Sequence, residues 1–316
     1  MRAVVIVKPK RIEIENVAMP ELGTAQVLLR IEGCGVCASN LPLWQGRAWF
    51  SYPLAPGAGG HEGWGRIQAV GRGVRDWAVG ERVAFLSDHA YAEYDVAEAN
   101  ALVKLPPALD SQPFPGEPLG CAMNVLRRSD IQPGQTVAIV GIGFLGALLT
   151  RLAAHAGARV LAISRRAFAL EIARKFGAAE TIPMDDAEGI VRRVQALTDG
   201  RGCERVVEAI GLQRSLDLAT VLTRDRGRLV IAGYHQDGPR QVNIQLWNWR
   251  GLDVINAHER DPQVYVSGMR AAVDAVSRGV LDPSSLYTSF PLEKLSDAFQ
   301  AMETRPDGFV KALVTL

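Results

Sequence analysis

The chain has 316 residues, more than a single hydrophobic core usually serves, so two domains are expected. With 48% hydrophobic residues, 22% charged residues and a formal net charge of +1, its composition is that of an ordinary soluble globular protein. That balance argues against a dedicated nucleic-acid binder or a strongly steered polyanionic substrate, and points to small-molecule partners. The apolar run at 3–7 is too short for a signal peptide, and 137–150 is too short and glycine-rich to span a bilayer. No membrane association and a cytoplasmic location are therefore expected. Four cysteines, Cys34, Cys37, Cys121 and Cys203, are too few for a disulfide framework and leave metal or thiol roles open.

Residues 1–105 read as β-rich, with short apolar runs at 3–7, 26–31 and 82–85 alternating with Gly and Pro turns, so a barrel-like or irregular β domain is expected. The pattern turns helical at 119–129, and Gln132-Pro133-Gly134-Gln135 then marks a turn. From there helices and strands alternate. Strands are predicted at 137–140, 159–163, 205–209 and 228–232, and helices at 145–156, 167–176, 189–197 and 212–222. This alternation implies a doubly wound parallel sheet in an α/β architecture. A helix at 261–278, a helix at 291–302 and a strand at 308–316 close the chain.

Within the alternating region, Val137 to Gly146 reads as a buried strand turning into a helix, with Gly141, Gly143 and Gly146 at G-x-G-x-x-G spacing. The first glycine permits a tight turn, the second lets a pyrophosphate approach the backbone, and the third allows close helix packing. The helix N-terminus, with Phe144 and Leu145, then faces phosphate. Strand, glycine turn, amphipathic helix and strand follow within about 30 residues, which is the context a dinucleotide site requires.

The β-rich half carries Gly33-Cys34-Gly35-Val36-Cys37-Ala38-Ser39-Asn40 and Gly59-Gly60-His61-Glu62-Gly63-Trp64-Gly65, and Glu117-Pro118-Leu119-Gly120-Cys121 precedes the glycine turn. Thiolate and imidazole are zinc's preferred donors, and Cys37, His61 and Cys121 can supply the three that a catalytic zinc uses. The same residues are also compatible with packing roles, the cysteines as small buried hydrophobes and His61 as a hydrogen-bonded core residue.

These motifs, together with Val70-Gly71, Gly80-Glu81-Arg82-Val83, Tyr91-Ala92-Glu93-Tyr94, Phe290-Pro291-Leu292 and Lys311-Ala312-Leu313-Val314, resemble the zinc-dependent medium-chain dehydrogenase/reductase family of alcohol and polyol dehydrogenases. The resemblance implies a GroES-like catalytic domain at 1–122 and 257–316, a Rossmann cofactor domain at 123–256, and an active site in the cleft between them. It implies Cys37, His61 and Cys121 as zinc ligands, with Glu62 as the acidic neighbour that ligates or exchanges with water. Glu117 resembles a metal-facing glutamate of the polyol branch, and Cys121 is favoured over it because thiolate is the stronger zinc donor. Ser39 matches the hydroxyl that begins proton removal from the substrate, although a turn hydroxyl satisfying nearby backbone is the plainer reading. Ala209, Ile210, Gly211 and Gly233 are further cofactor contacts. The implied activity is hydride transfer between a nicotinamide cofactor and an alcohol or carbonyl. A zinc-free quinone or enoyl reductase and a non-catalytic nucleotide-binding protein are the alternatives.

Several residues depart from the family pattern. Only Leu86 to Ala90 stand where a four-cysteine structural zinc lobe is usual, so one catalytic zinc is expected. Asn40 replaces an aspartate beside the metal, and Pro42 falls near the position of a relay histidine. At the end of the second strand Ser164, Arg165 and Arg166 replace the carboxylate that would accept the ribose of NAD, which favours NADP(H). Cys34 and Cys37 form a C-x-x-C outside a thioredoxin-like setting, so Cys34 is expected to be a packing thiol or one that supports the metal ligands from behind, and Cys203 has no assigned role. Trp44, Trp49, Phe50 and Tyr52 either line the substrate cleft or belong to the core. Residues 245–255, with Trp247 or Trp249 near the contact, imply a homodimer, and His258 either approaches the nicotinamide or sits in a solvated loop.

Overall fold

The first strand buries the apolar run Ala3 to Ile6, and alternation of buried and exposed side chains appears in the third. The hairpin of β1 (Arg2–Lys8) and β2 (Arg11–Asn16) is antiparallel. Strand β3 (Gln26–Gly35) buries Val27, Leu29 and Ile31 on one face. A 3-10 turn at Ala38–Asn40 leads into α1 (Leu41–Gln45), then β4 (Glu62–Val70), β5 (Arg82–Phe85), β6 (Tyr94–Glu98) and β7 (Leu102–Lys104). The computed structural model describes residues 1–316 and divides into two compact units, Met1–Gly120 with Arg260–Leu316, and Cys121–Glu259.

Helix α2 (Gly116–Ser129) precedes the second unit's β8 (Thr136–Val140), α3 (Phe144–His155), β9 (Arg159–Ser164), α4 (Ala167–Lys175), β10 (Glu180–Pro183) and α5 (Ala187–Leu197). There follow β11 (Cys203–Glu208), α6 (Gln213–Leu222), β12 (Thr223–Ile231), α7 (Ile244–Arg250) and β13 (Asp253–Asn256). All six strands are parallel, in the order β10-β9-β8-β11-β12-β13. Val137 to Val140 are fully buried, as expected of a strand covered on both faces. The order reverses at β8 and β11, which makes this a doubly wound sheet with its switch point at the glycine turn.

The chain then returns to the first unit through α8 (Pro262–Ser277), β14 (Tyr287–Pro291), α9 (Leu295–Thr304) and β15 (Lys311–Thr315). Its sheet runs β14-β15-β3-β4-β5-β7, with β6 also paired to β3. No helix is long and apolar enough to cross a membrane.

The boundaries differ from the sequence reading where local patterns are weak. Strand β4 was not anticipated because Gly63 and Gly65 break its alternation, and both are needed there: a Cβ would overlap the Phe85 ring at the first and the Arg30 backbone at the second. The helix expected at 291–302 begins at Leu295, because Tyr287-Thr288-Ser289-Phe290 is a strand-forming run that pairs with β15. Strand β11 starts at Cys203, which is therefore a buried core thiol, and ends at Glu208, leaving Ala209 in the turn.

Trp44 belongs to the core. Its ring stacks on Phe299 at 5.0 Å and 7°, and Tyr91 meets Phe299 edge-on at 6.1 Å. Phe50 and Tyr52 pack partly buried against the same cluster, whereas Trp49 is 60% exposed. Phe299 thus joins α9 to α1 and to the segment that precedes β6. Phe299→Ala is expected to cost about 3–5 kcal/mol, read as a lowered urea midpoint with little change in slope.

Candidate metal and cofactor sites

The pairing of β3 with β4 builds the donor cluster. Gly35 lies opposite Glu62 in the antiparallel register, so Cys37, just past the end of β3, and His61, just before β4, arrive side by side. Donor atoms of Cys37, His61 and Glu62 all lie within 4.8 Å of one another. Gly35 is required at this pairing because a Cβ there would overlap the Glu62 carboxylate.

His61 is oriented by backbone. Its Nδ1 lies 3.1 Å from the Gly59 carbonyl, which can only accept, so Nδ1 carries a proton and Nε2 is left for the cluster. Asn40, at the family's aspartate position, donates to the same carbonyl at 2.5 Å. Burial opposes the imidazolium, but the hydrogen bond and charge of Cys37, with the charges of Glu117 and Glu62, outweigh it and push the His61 pKa up to about 10. Cys37, His61 and Glu62 offer the sulfur, imidazole and carboxylate donors that fit zinc, a metal taking the place of the proton that His61 otherwise holds.

Sequence reasoning missed Lys311. The Val36 N–H donates to the Ala312 carbonyl, which brings the start of β15 beside Cys37. Lys311, 3% exposed, reaches Glu62 with Nζ at 2.7 Å from Oε1 and 2.5 Å from Oε2. Burial disfavours its charge, but Glu62 and Cys37 outweigh this and raise its pKa above the ordinary lysine value. Glu62 is fully buried in this ion pair while remaining within reach of Cys37 and His61. Lys311 opens one of the motifs that carry the family resemblance, but nothing in the sequence pairs it with Glu62.

Ser39 lies half-buried in the turn after Cys37. Glu117 opens α2, and Cys121 stands one helical turn later on the same helix face. Cys34 is fully buried in β3, and burial followed by the Glu62 charge raises its pKa well above the ordinary thiol value, so it stays a packing thiol.

The cofactor candidates gather at the C-terminal edge of the parallel sheet. Gly141, at φ 105°, turns the chain where a side chain would strike Ile210, and Gly143 caps α3. Phe144 and Leu145 form the first turn of α3, and Gly146 packs against the Gly141 carbonyl too closely for any Cβ. Ala209 donates to the Val140 carbonyl, and the Gly233 N–H donates to the Glu208 carbonyl, so Ala209, Ile210, Gly211 and Gly233 adjoin the glycine turn. Ser164 is buried at the end of β9, its hydroxyl accepting the Arg166 N–H at 3.4 Å; Arg165 is exposed and Arg166 half-buried.

Two expected aromatic contacts separate. Trp247 packs against its own core with Nε1 3.3 Å from the Thr220 hydroxyl, while Trp249 is 88% exposed. His258 is exposed, with its ring 5.1 Å from Tyr234.

Residues 23–107 match the alcohol dehydrogenase GroES-like domain, and residues 145–274 match the zinc-binding dehydrogenase family. The chain is 28% identical to an alcohol dehydrogenase of Geobacillus stearothermophilus, over 96% of each chain. It superposes on the alcohol dehydrogenase TADH from Thermus sp. ATN1 with a TM-score of 0.85 and 26% identity, covering 100% and 99% of the two chains. A candidate zinc-binding dehydrogenase from Sinorhizobium meliloti 1021, bound to NADP, gives the same TM-score, identity and coverage.

Removing one partner of the buried pair leaves the other uncompensated. Lys311→Met is expected to destabilise the protein by about 3–5 kcal/mol, and the Glu62→Gln/Lys311→Met double variant to recover most of it. Urea unfolding of the single and double variants measures both.

Proposed function

The chain belongs to the medium-chain, zinc-type dehydrogenase family and is an oxidoreductase, and from that premise we propose that it transfers a hydride between NADP(H) and an alcohol or carbonyl substrate. The substrate class is a secondary alcohol, polyol or aldehyde, in keeping with the relatives named as alcohol dehydrogenases. In this reading the β-rich unit is the catalytic domain and the six-stranded unit the cofactor domain.

The convergence of Cys37, His61 and Glu62 within 4.8 Å carries the proposal. Cys37 and His61 would hold one zinc with Cys121 as the remaining thiolate, and Lys311 offsets the charge of Glu62, which stays in reach as a further donor. Bound there, zinc would supply Lewis acidity toward the substrate oxygen, and NADP(H) would supply or accept the hydride. Ser39, two residues after Cys37, takes the substrate's hydroxyl proton or returns it. The Gly59 carbonyl, braced by Asn40, keeps the His61 ring from turning.

The NADP(H) preference rests on Ser164, Arg165 and Arg166, which present a hydroxyl and two guanidinium groups where a carboxylate would repel a 2′-phosphate. The NADP-bound S. meliloti neighbour is consistent with it. The edge strand β13, with Val242, Ile244 and Trp249 exposed nearby, suits pairing with a second copy, so the protein is proposed to act as a cytoplasmic homodimer.

Metal analysis of purified protein should find about one zinc per chain, as one catalytic site requires, and His61→Ala should lose both metal and turnover. Protein that purifies without zinc yet oxidises alcohols would overturn the assignment. In fluorescence titrations NADPH should bind more tightly than NADH, and Arg165→Ala/Arg166→Ala should cost about tenfold to a hundredfold for NADPH alone.

A further inference from the structure

Glu208 closes β11 fully buried, and its carboxylate is surrounded by donors from three directions. Oε1 accepts from the N–H groups of Ile210 and Gly211, each at 2.8 Å, and Oε2 lies 3.0 Å from His235 Nε2. On the far side of the imidazole, Arg240 Nε donates to His235 Nδ1 at 3.0 Å, while the same guanidinium donates to the Gly211 carbonyl at 3.0 Å. These contacts form a closed ring running from the Gly211 carbonyl through Arg240, His235 and Glu208 back to the N–H of the same residue.

The ring fixes the state of His235. An arginine Nε–H can only donate, so Nδ1 must be the acceptor and the proton must sit on Nε2, pointing at Glu208. A neutral imidazole of one tautomer thus separates a carboxylate from a guanidinium, with its side chain only 15% exposed. Space around the ring is equally restricted. A Cβ on Gly233 would lie 2.6 Å from Glu208 Oε2, and one on Gly211, at φ 86°, would lie 2.5 Å from the Tyr234 carbonyl.

We propose that His235 and Arg240, acting through Glu208, are positioning residues that lock the Ala209–Gly211 turn to the 233–240 loop and so set the nicotinamide half of the dinucleotide site. The inference rests on the cofactor reading of this sheet edge. Strand order supplies the direction: Ser164 and Arg166 lie at the end of β9 on one side of the glycine turn, and Gly211 and Gly233 follow β11 and β12 on the other. A dinucleotide with its 2′-phosphoadenosine toward β9 therefore extends its other half over the clamped turn. Arg240 and His235 need touch neither half; they hold the peptide groups that do.

The test uses the intact protein with NADPH, with adenosine 2′,5′-bisphosphate as a probe of the adenine half alone, and with amide hydrogen exchange in the absence of any ligand. His235→Ala should weaken NADPH about tenfold or more while leaving the bisphosphate essentially unchanged, as expected for losing charge-assisted hydrogen bonds at one end. His235→Gln should restore most of the affinity, since a neutral amide also offers one acceptor and one donor. Exchange at residues 209–211 and 233–240 should accelerate in His235→Ala and return toward wild type in His235→Gln. Equal losses for NADPH and the bisphosphate, or NADPH affinity unaltered in His235→Ala, would refute the positioning role. Should the wild-type protein bind no nicotinamide dinucleotide, the cofactor reading fails; the clamp is then judged on exchange alone, and unchanged exchange in His235→Ala removes it as well.

Discussion

The buried ion pair between Lys311 and Glu62 is the constraint on which the first unit turns. Neither charge can be left in the interior alone, so β15 must enter the sheet beside β3, across which the ammonium meets the carboxylate of β4. The register of β3 with β4 sets Cys37 against His61. The donor cluster is therefore a consequence of strand pairing, and it sits where a glycine of β3 leaves room for a carboxylate of β4.

A different economy governs the parallel sheet. Its C-terminal edge is crowded, and glycine stands at the close approaches: Gly141 against the Ile210 side chain, Gly233 against the Ile210 and Gly211 amides, Gly146 against the Gly141 carbonyl. Polar groups left over at such an edge must find partners within it, and Glu208 collects them. Helix dipoles and peptide N–H groups are thereby held ready for an anionic ligand without a charged side chain in the turn itself.

Much of the local chemistry was legible in the sequence. Gly141, Gly143 and Gly146 announce themselves because a glycine turn is a short-range requirement, and Cys37 and His61 because thiol and imidazole are uncommon donor types that stand out in a sequence, and the fold does bring them together. Lys311 was not legible, since its meaning lies in a partner 249 residues away and in a register that composition does not encode. Trp44 was ambiguous for a related reason: an aromatic ring in a loop-rich stretch reads equally as a pocket wall or a core plate, and only its stacking on Phe299 decides. The Glu208, His235 and Arg240 ring was invisible because its members belong to separate turns and are joined through a peptide.

The separation between Glu62 and Lys311 has a bearing on how the protein is made. At about 5–20 residues per second, a ribosome delivers the lysine on the order of ten to fifty seconds after the glutamate. The six-stranded unit lies within that interval as one uninterrupted segment and can form while the first unit waits. Until β15 emerges, the carboxylate lacks its counter-ion and must stay hydrated, so burial of Glu62 beside Cys37 and His61 has to await the pairing of β15 with β3.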